Sequence, residues 1–215
     1  MTTSAQYTVI LANGSFPRRK CLLDILHAAA RIVCCDGAAS ALLRAGLEPD
    51  LVVGDLDSLD PALKKRFWKR LVHESEQETN DLAKAFRFVC ERSPRPPDAL
   101  RIAILGATGL REDHALGNIF RLADFAATAP HVVLYTDAGF FEVVRGERTF
   151  PCEPGEAVSV FAPTPGTAVS SNGLQWPLDG VSLADLWSGT LNRTTGPSFT
   201  LRTDGRPILV YRPYA

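Results

Sequence analysis

Short apolar runs alternate with amphipathic segments through the first two thirds of the chain, and this alternation limits the possible folds more than any other feature. The apolar runs predict strands at residues 7–12, 32–35, 51–53, 101–105 and 131–135. The segments between them predict helices, because their apolar residues recur at helical spacing. Strands that alternate with helices form a parallel sheet with helices on both faces. We therefore predict an α/β fold whose N-terminal part is a doubly wound, mainly parallel sheet.

From about Gly146 the pattern changes to short alternating strands separated by turn dipeptides. The turn signals stand at Pro154-Gly155, Pro165-Gly166, Asp179-Gly180 and Asp204-Gly205. This spacing is typical of a β-sandwich, so we predict a smaller C-terminal β-sandwich domain at 146–215, after a first domain at 1–145. Residues 199–203 and 208–211 are predicted to pair as a hairpin across Asp204-Gly205. Because so small a β domain exposes sheet edges, the pattern also favours a homodimer.

The composition excludes several classes of partner. A formal net charge of -1 argues against nucleic acid or membrane surfaces that bind mainly by bulk electrostatics. The N-terminal residues lack a basic stretch followed by a long apolar run, and no segment approaches the ~20 apolar residues of a membrane helix. We therefore expect a soluble, cytoplasmic protein. Five cysteines without Cys-x-x-Cys spacing predict buried, reduced thiols rather than disulfides or a zinc site.

Two aspartates that follow a predicted buried strand are candidates for a metal site. In an extended chain beyond Gly54, Asp55 and Asp57 would point to the same side. Two carboxylates at that spacing repel each other by about 2 to 3 kcal/mol at an effective dielectric near 20. Bound Mg²⁺ with substrate phosphates would relieve the repulsion, whereas helix capping is the structural alternative. Asp60 before Pro61 is a better cap, yet the residues alone leave both interpretations open.

Asp81 stands at the start of another predicted helix, after a polar loop. In the first turn of a helix, the dipole and the free backbone N–H groups keep a carboxylate ionised. From these residues alone, a capping role for Thr79, Asn80 or Asp81 is favoured over a catalytic one.

A glycine-containing segment follows the predicted strand at 101–105. Gly106 and Gly109 permit close backbone approach, so a phosphate could lie near the N-terminus of the next helix. Asp113 and His114 are adjacent, and without a nucleophile elbow, capping or an orienting hydrogen bond is favoured over base chemistry for the histidine. The sequence contains neither a Walker A loop nor a dinucleotide-binding glycine fingerprint.

Five segments, taken in their order along the chain, resemble the motifs of a known family. They are residues 35–40, 49–59, 77–85, 106–114 with Asn118, and 173–178. Together they resemble the thiamine pyrophosphokinase family, enzymes that transfer a diphosphate group from ATP to thiamine. The resemblance covers most of the chain. It implies an α/β catalytic, nucleotide-binding domain at 1–145, a thiamine-binding β-sandwich at 146–215, and a homodimer whose active sites lie between subunits.

The resemblance also implies a set of site residues. The family's acidic cluster falls on Asp36, Asp55, Asp57 and Asp81, and the last three are implied as catalytic residues and Mg²⁺ ligands. The ATP site is implied at Asp36, Gln77, Asn80, Arg111, Asp113, His114 and Asn118. Thiamine is implied to bind at Trp176 and Asn192, because an indole face suits the cationic thiazolium. The structural alternative for Trp176 is a place in the sandwich core.

Three positions depart from the family pattern. The family has Asn at the position of Ser40, Thr at Asn80 and Ser at Leu191. The first two departures leave the carboxylates intact, so catalysis should persist. Leu191 lies in the thiamine-contacting segment, so the third departure affects substrate recognition.

The reaction implied is an in-line attack of the thiamine hydroxyl on the β-phosphorus of ATP, with AMP leaving. Charge neutralisation by Mg²⁺ should contribute most of the catalysis, and Asp57 and Asp81 are both candidates for accepting the hydroxyl proton.

Two other functions are alternatives. A haloacid-dehalogenase-like phosphatase would use Asp55 as nucleophile, although Ser58 and Leu59 do not fit that class. A non-catalytic module would bind a nucleotide or a thiamine compound without turnover.

Overall fold

The computed structural model describes residues 7–214, which divide into two compact units. Within this range, unit 1 comprises residues 7–121 and 125–137, and unit 2 comprises residues 122–124 and 138–214. The strand Gly139–Val144 therefore belongs to unit 2, upstream of the predicted boundary between residues 145 and 146.

Unit 1 alternates strands and helices as predicted. Its strands are β1 (Thr8–Leu11), β2 (Arg31–Cys35), β3 (Leu51–Gly54), β4 (Leu71–His73), β5 (Arg101–Leu105) and β6 (His131–Tyr135). Its helices are α1 (Lys20–His27), α2 (Ala38–Arg44), α3 (Pro61–Arg66), α4 (Asp81–Arg92) and α5 (Glu112–Thr128), the last of which includes the three residues assigned to unit 2. All six strands are parallel in the order β4-β3-β2-β1-β5-β6, which confirms the predicted parallel sheet.

The order of these strands creates a crevice beside β1. The chain proceeds outward from β1 through β2 and β3 to β4, and α4 then returns it so that β5 pairs with the other side of β1. The loops after β1 and β5 consequently leave the sheet in different directions. In open α/β sheets, ligands bind at this reversal, outside the carboxyl ends of the strands.

Two helices begin at caps that help to shape this end of the sheet. The Asp60 carboxylate accepts a hydrogen bond from the Ala62 N–H at 2.7 Å, and Pro61 is the first residue of α3, as predicted. The Asn80 side chain accepts from the Ala83 N–H at 3.0 Å, so α4 begins at Asp81. The predicted apolar stripe of α4 is buried at Leu82, Ala85, Phe86 and Val89.

Unit 2 is a β-sandwich, as predicted. Its strands are β7 (Gly139–Val144), β8 (Glu147–Pro151), β9 (Ala157–Phe161), β10 (Thr167–Asn172), β11 (Val181–Leu183), β12 (Gly189–Arg193), β13 (Ser198–Thr203) and β14 (Ile208–Pro213). Within the unit, β12-β9-β14-β7 and β11-β10-β13-β8 form two antiparallel sheets. Both sheets contribute to one apolar core, in which Phe150 and Phe199 stack with ring centroids 4.9 Å apart.

The predicted hairpin across Asp204-Gly205 is wrong. β13 pairs with β8 and β10, whereas β14 pairs with β7 and β9, so the intervening loop carries the chain from one sheet to the other. Asp204 accepts from the Ala168 N–H at 3.1 Å, and the Arg206 guanidinium donates to the Gly166 carbonyl at 2.6 Å. These contacts hold the loop against the start of β10.

Within residues 7–214, no helix is both long and apolar enough to cross a membrane. All five cysteines are free. Cys34, Cys35 and Cys152 are buried as predicted, while Cys90 is half-buried and Cys21 is exposed.

Candidate active site

Backbone hydrogen bonds join the loops that follow β1 and β5. The Gly14 N–H donates to the Gly106 carbonyl at 2.7 Å, and the Ser15 N–H donates to the Thr108 carbonyl at 2.8 Å. A side chain at position 14 would bring its Cβ within 2.5 Å of both carbonyl oxygens. Gly106 adopts a φ of 66°, and a Cβ there would lie 2.6 Å from the Ala12 carbonyl. These glycines are therefore required by the contact between the two loops.

A cavity of about 460 Å³ opens at this edge of the unit 1 sheet. Its walls come from the ends of β1 and β5 and from the N-terminal parts of α4 and α5. Seven of the predicted site residues line it: Asp55, Gln77, Asn80, Asp81, Arg111, His114 and Asn118. Size, polarity and position at the strand reversal make it the candidate ligand site of unit 1.

The chain turns sharply where β3 ends, and this turn separates the first two aspartates. Leu56 has a φ of 65°, in the left-handed region, so the extended conformation does not continue past Gly54. The Asp57 N–H donates to Asp55 Oδ1 at 3.1 Å. Asp55 lines the cavity, whereas Asp57 is exposed outside it. The expectation that both carboxylates point to one side by strand alternation is thus wrong.

Asp36 lies beneath this turn and is only 1% exposed. Its carboxylate accepts from the Gly37 N–H at 2.6 Å and from the Ser58 N–H at 3.3 Å. Burial, followed by the nearby Asp81 carboxylate, raises the pKa of Asp36. Asp36 therefore connects the end of β2 to the turn after β3, and it supports the cavity from behind.

Asp36, Asp55 and Asp81 converge around Gly54. A Cβ at Gly54 would lie 3.2 Å from the Cγ of Asp36 and 3.4 Å from Asp81 Oδ1. The Asp57 N–H is the main cause that lowers the pKa of Asp55, and the Gln77 side chain lowers it further. Three elements that are distant in sequence, β2, β3 and α4, thus bring carboxylates to one place.

Lys84 was not singled out by the sequence. Its side chain is 2% exposed, and its Nζ lies 3.5 Å from Asp81 Oδ1, one helical turn away. The available signal was its spacing, because a residue three positions after Asp81 faces the same side of the helix. Lys84 lines the cavity with the two carboxylates of Asp55 and Asp81.

A chain of amide hydrogen bonds joins α4, α5 and the loop after β5 at the cavity. Asn80 Nδ2 donates to Asn118 Oδ1 at 2.8 Å, and Asn118 Nδ2 donates to the Ala107 carbonyl at 2.8 Å. Asn80 also caps α4, so its side chain joins the start of α4 to α5, and Asn118 continues the connection to the loop after β5. A carboxamide can accept and donate through separate atoms, which suits it to both contacts at once.

Arg111 and Asp113 form an exposed ion pair where α5 begins. Arg111 Nη2 lies 2.6 Å from Asp113 Oδ2, and this contact lowers the pKa of Asp113 to about 2. The His114 N–H donates to Asp113 Oδ1 at 2.9 Å. Asp113 itself does not line the cavity, whereas Arg111 and His114 do. Asp113 therefore holds the Arg111 guanidinium and bonds the backbone N–H of His114, while the role of the His114 ring stays a prediction.

The two predicted thiamine-binding residues lie in unit 2 and contact each other. Asn192 is 3% exposed, and its carboxamide accepts from the Trp176 N–H at 3.2 Å and donates to the Trp176 carbonyl at 2.7 Å. Trp176 is 53% exposed, so it does not belong to the sandwich core. Leu191 is also exposed and has a φ of 59° beside the bulge in β12. Asn192 thus fixes the backbone that presents the indole ring.

The donors around the cavity fit a hard divalent cation. The described residues, 7–214, contain no ready group of three or more His, Cys, Asp or Glu side chains at metal-binding spacing. Asp55 and Asp81 nevertheless provide two carboxylates on one cavity. Mg²⁺ usually takes one or two protein carboxylates and completes its shell with phosphate oxygens and water, so a pair is a suitable set.

Two family models match consecutive parts of the sequence. The model described as the catalytic domain of thiamin pyrophosphokinase matches residues 22–134. The model described as the substrate-binding domain of thiamin pyrophosphokinase matches residues 139–211.

A sequence relative gives the same family, and two solved structures share the fold. Thiamine pyrophosphokinase 1 of Oryza sativa subsp. japonica is 30% identical over 210 residues, which cover 84% of this chain and 77% of the relative. Among solved structures, a thiamin pyrophosphokinase family protein from Enterococcus faecalis superposes with a TM-score of 0.79 at 21% identity, over 98% of this chain and 100% of that one. Yeast thiamin pyrophosphokinase superposes with a TM-score of 0.75 at 18% identity, over 99% of this chain and 88% of that one. At these identities the two superpositions establish the shared fold.

Proposed function

The chain belongs to the thiamine pyrophosphokinase family, and from this premise we propose that the cavity of unit 1 is its catalytic site. Enzymes of this family transfer a diphosphate group from ATP to thiamine, giving thiamine diphosphate and AMP. The convergence of Asp36, Asp55 and Asp81 at the strand reversal is the observation that carries the assignment. A concentration of carboxylates beside a polar cavity is a poor structural choice but a suitable site for a metal–phosphate complex.

We assign the Mg²⁺ ligands to Asp55 and Asp81, which line the cavity, and, following the family resemblance, to Asp57, which is exposed outside it. When bound, Mg²⁺ would neutralise the phosphate oxygens and favour attack at phosphorus. Asp36 would act as a positioning residue, because its oxygens bind the backbone of Gly37 and Ser58. The hydrogen bond from Ser58 to Asp36 fixes the segment that carries Asp57.

The remaining cavity residues would bind and orient ATP. Arg111 provides a guanidinium at the cavity wall, held by Asp113, and such a group suits phosphate oxygens. Asn80 and Asn118 hold the wall between α4 and α5, while Gln77 and His114 add polar groups. The family's reaction depends mainly on positioning and charge neutralisation. Binding and orienting ATP is therefore the contribution that these residues would make.

Thiamine would bind against Trp176, whose exposed indole face suits a cationic ring. Asn192 would act through Trp176, because its buried carboxamide bonds both backbone groups of that residue. Following the family resemblance, we further propose a cytoplasmic homodimer whose active sites lie between subunits. Light scattering coupled to size-exclusion chromatography tests the dimer, and a monomeric mass in the active enzyme would contradict it.

One assay tests the function. The purified full-length chain is incubated with ATP, Mg²⁺ and thiamine, and AMP and thiamine diphosphate are measured. Equal amounts of the two products are expected, with neither product when thiamine is omitted. Asp24→Asn is a matched control for Asp55→Asn, because Asp24 is an exposed carboxylate paired with Lys20 on the surface of α1.

The other outcomes distinguish the alternatives. Release of inorganic phosphate without an acceptor would indicate a phosphatase, and formation of ADP with thiamine monophosphate would indicate a simple kinase. Saturable binding with no product at high protein concentration would indicate a non-catalytic module. Any of these three results would contradict the proposed reaction.

A further inference from the structure

The burial of Lys84 needs an explanation that helix packing alone does not provide. A lysine is almost never fully buried unless its ammonium is paired. The Lys84 side chain is 2% exposed, and the Asp81 carboxylate with which it pairs is 34% exposed. At 3.5 Å from Asp81 Oδ1, Nζ is at the outer limit of a hydrogen bond. The contact is therefore better described as an ion pair directed towards the cavity.

The surroundings of the Lys84 ammonium are rich in negative charge. A Cβ on Gly54, the residue before Asp55, would lie 3.4 Å from Asp81 Oδ1, the same oxygen that pairs with Lys84. The Thr79 hydroxyl is the first cause of the lowered pKa of Glu76, and Lys84 also contributes. Asp55 and Asp81, which line the cavity with Lys84, and Glu76, which lies outside it, thus surround the cation with carboxylates.

The same cation also faces the space that a ligand would use. Lys84 lines the cavity together with Asp55 and Asp81. An ammonium has three N–H donors, so the bond to Asp81 leaves two for other acceptors. A compact point charge at this position can neutralise carboxylates before a divalent cation arrives.

We propose that Lys84 is the internal counter-ion of the acidic cluster, neutralising Asp55 and Asp81 in the metal-free enzyme and competing with Mg²⁺ for their charge. This role rests on the proposed metal site. Lys84 is thus a positioning residue, because it keeps the two carboxylates in place by balancing their charge. Lys84 also lowers the affinity of the site for Mg²⁺, because Mg²⁺ must compete with a cation that already neutralises the two carboxylates.

Lys84→Met tests the role, because methionine keeps an unbranched apolar side chain and removes the charge. Thermal unfolding of the full-length protein is followed in EDTA and across a Mg²⁺ titration without ATP. In EDTA the variant should melt below the wild type. Its apparent Mg²⁺ affinity should rise by at least about fivefold, the lower end of typical coupling between linked sites. Saturating Mg²⁺ should restore most of the lost melting temperature.

Two control variants separate charge from packing. Lys84→Arg keeps the cation and should retain a Mg²⁺ affinity close to that of the wild type. Lys20→Met removes an exposed lysine that pairs with Asp24 and should change neither melting nor Mg²⁺ affinity.

Four results would overturn the role of Lys84. A melting temperature that falls equally with and without Mg²⁺ would indicate packing alone. An unchanged Mg²⁺ affinity with a raised KM for ATP would make Lys84 a phosphate ligand. Failure of the wild type to respond to Mg²⁺, or an undiminished response in Asp55→Asn, would contradict the metal site and Lys84 together. A normal wild-type response that Asp55→Asn abolishes, with no affinity gain in Lys84→Met, would contradict Lys84 alone.

Discussion

The carboxylates of the unit 1 cavity and the paired carboxylates of unit 2 are arranged in opposite ways. In unit 2, four of them face an arginine each, in the pairs Glu142–Arg148, Glu147–Arg202, Glu156–Arg212 and Asp204–Arg206. In the unit 1 cavity, Asp36, Asp55 and Asp81 converge on one another around Gly54, with Lys84 beside them. Pairs that are already neutral serve stability and need nothing further. A cluster with excess negative charge is the feature on which the proposed Mg²⁺ site rests.

Neutralising one member of the cluster should separate activity from stability most clearly. In Asp55→Asn we expect turnover to fall by at least about 1,000-fold, because a ligand of the proposed Mg²⁺ is lost. The amide oxygen can still accept from the Asp57 N–H, so the free energy of unfolding in EDTA should change by less than about 1 kcal/mol. Product formation and urea denaturation measure the two quantities. Near-normal turnover in Asp55→Asn would contradict the proposed role of Asp55 as a Mg²⁺ ligand.

Breaking a pair in unit 2 should give the reverse result. Arg212 donates to Glu156 at 2.8 Å and to the Pro151 carbonyl at 3.0 Å, and its guanidinium lies over Phe140 and Phe199. Arg212→Met should lower the free energy of unfolding by about 2 kcal/mol, because the ion pair with Glu156, the hydrogen bond to Pro151 and the two ring contacts are lost together.

The kcat of the folded Arg212→Met protein should stay within a factor of about two, since the paired arginine belongs to the framework. Urea denaturation and kcat at a temperature well below the melting point measure both. An Arg212 variant that unfolds normally but loses turnover would show that the pairs of unit 2 are not purely structural.

Trp176 provides a smaller test, on a residue of unit 2 that is exposed. In Trp176→Ala we expect the KM for thiamine to rise about tenfold through loss of a cation–π contact, with little change in stability. Trp176→Phe should recover part of the loss. Trp68→Ala is the matched control, because Trp68 is also exposed and lies outside the unit 1 cavity. Equal KM values for Trp176→Ala and the wild type would reject the thiamine contact.

The smallest effect concerns pH. The Arg212 guanidinium, followed by the Glu153 N–H, lowers the pKa of Glu156. A carboxylate with a lowered folded pKa stabilises the protein above its unfolded pKa, and this contribution is lost as pH falls through the folded value. Glu156→Gln should therefore be less stable than the wild type by under about 1 kcal/mol near pH 6.5, and the difference should vanish in acid. A difference that grows as pH falls would have the wrong sign.

Most of the architecture could be predicted because it depends on local pattern. The alternation of apolar and amphipathic segments predicted the parallel sheet, and turn dipeptides predicted the sandwich. The hairpin prediction failed because local turn chemistry does not say which partner a strand takes: Asp204 and Arg206 bind the start of β10 instead. Long-range pairing of this kind has no signature in a short window.

The candidate site could also be predicted only in part. Asp60 and the start of α4 followed from capping rules, while the grouping of Asp55 with Asp81 rested on family resemblance. Strand alternation misplaced Asp57, because the left-handed Leu56 is set by the turn and not by any property of leucine. Lys84 was missed because a lysine in an amphipathic helix is usually solvated, and only the tertiary structure buries it.

The amide chain from Asn80 through Asn118 to Ala107 has a consequence for biosynthesis. Asp36, Asp55 and Asp81 are synthesised before any residue of β5 or α5, yet the hydrogen bonds that join α4 to α5 and to the loop after β5 need groups at positions 107 and 118. On the ribosome, the three aspartates are therefore synthesised before the residues of α5 that would help to enclose a nucleotide. The cavity becomes complete only after Asn118 has emerged and α5 has docked against α4.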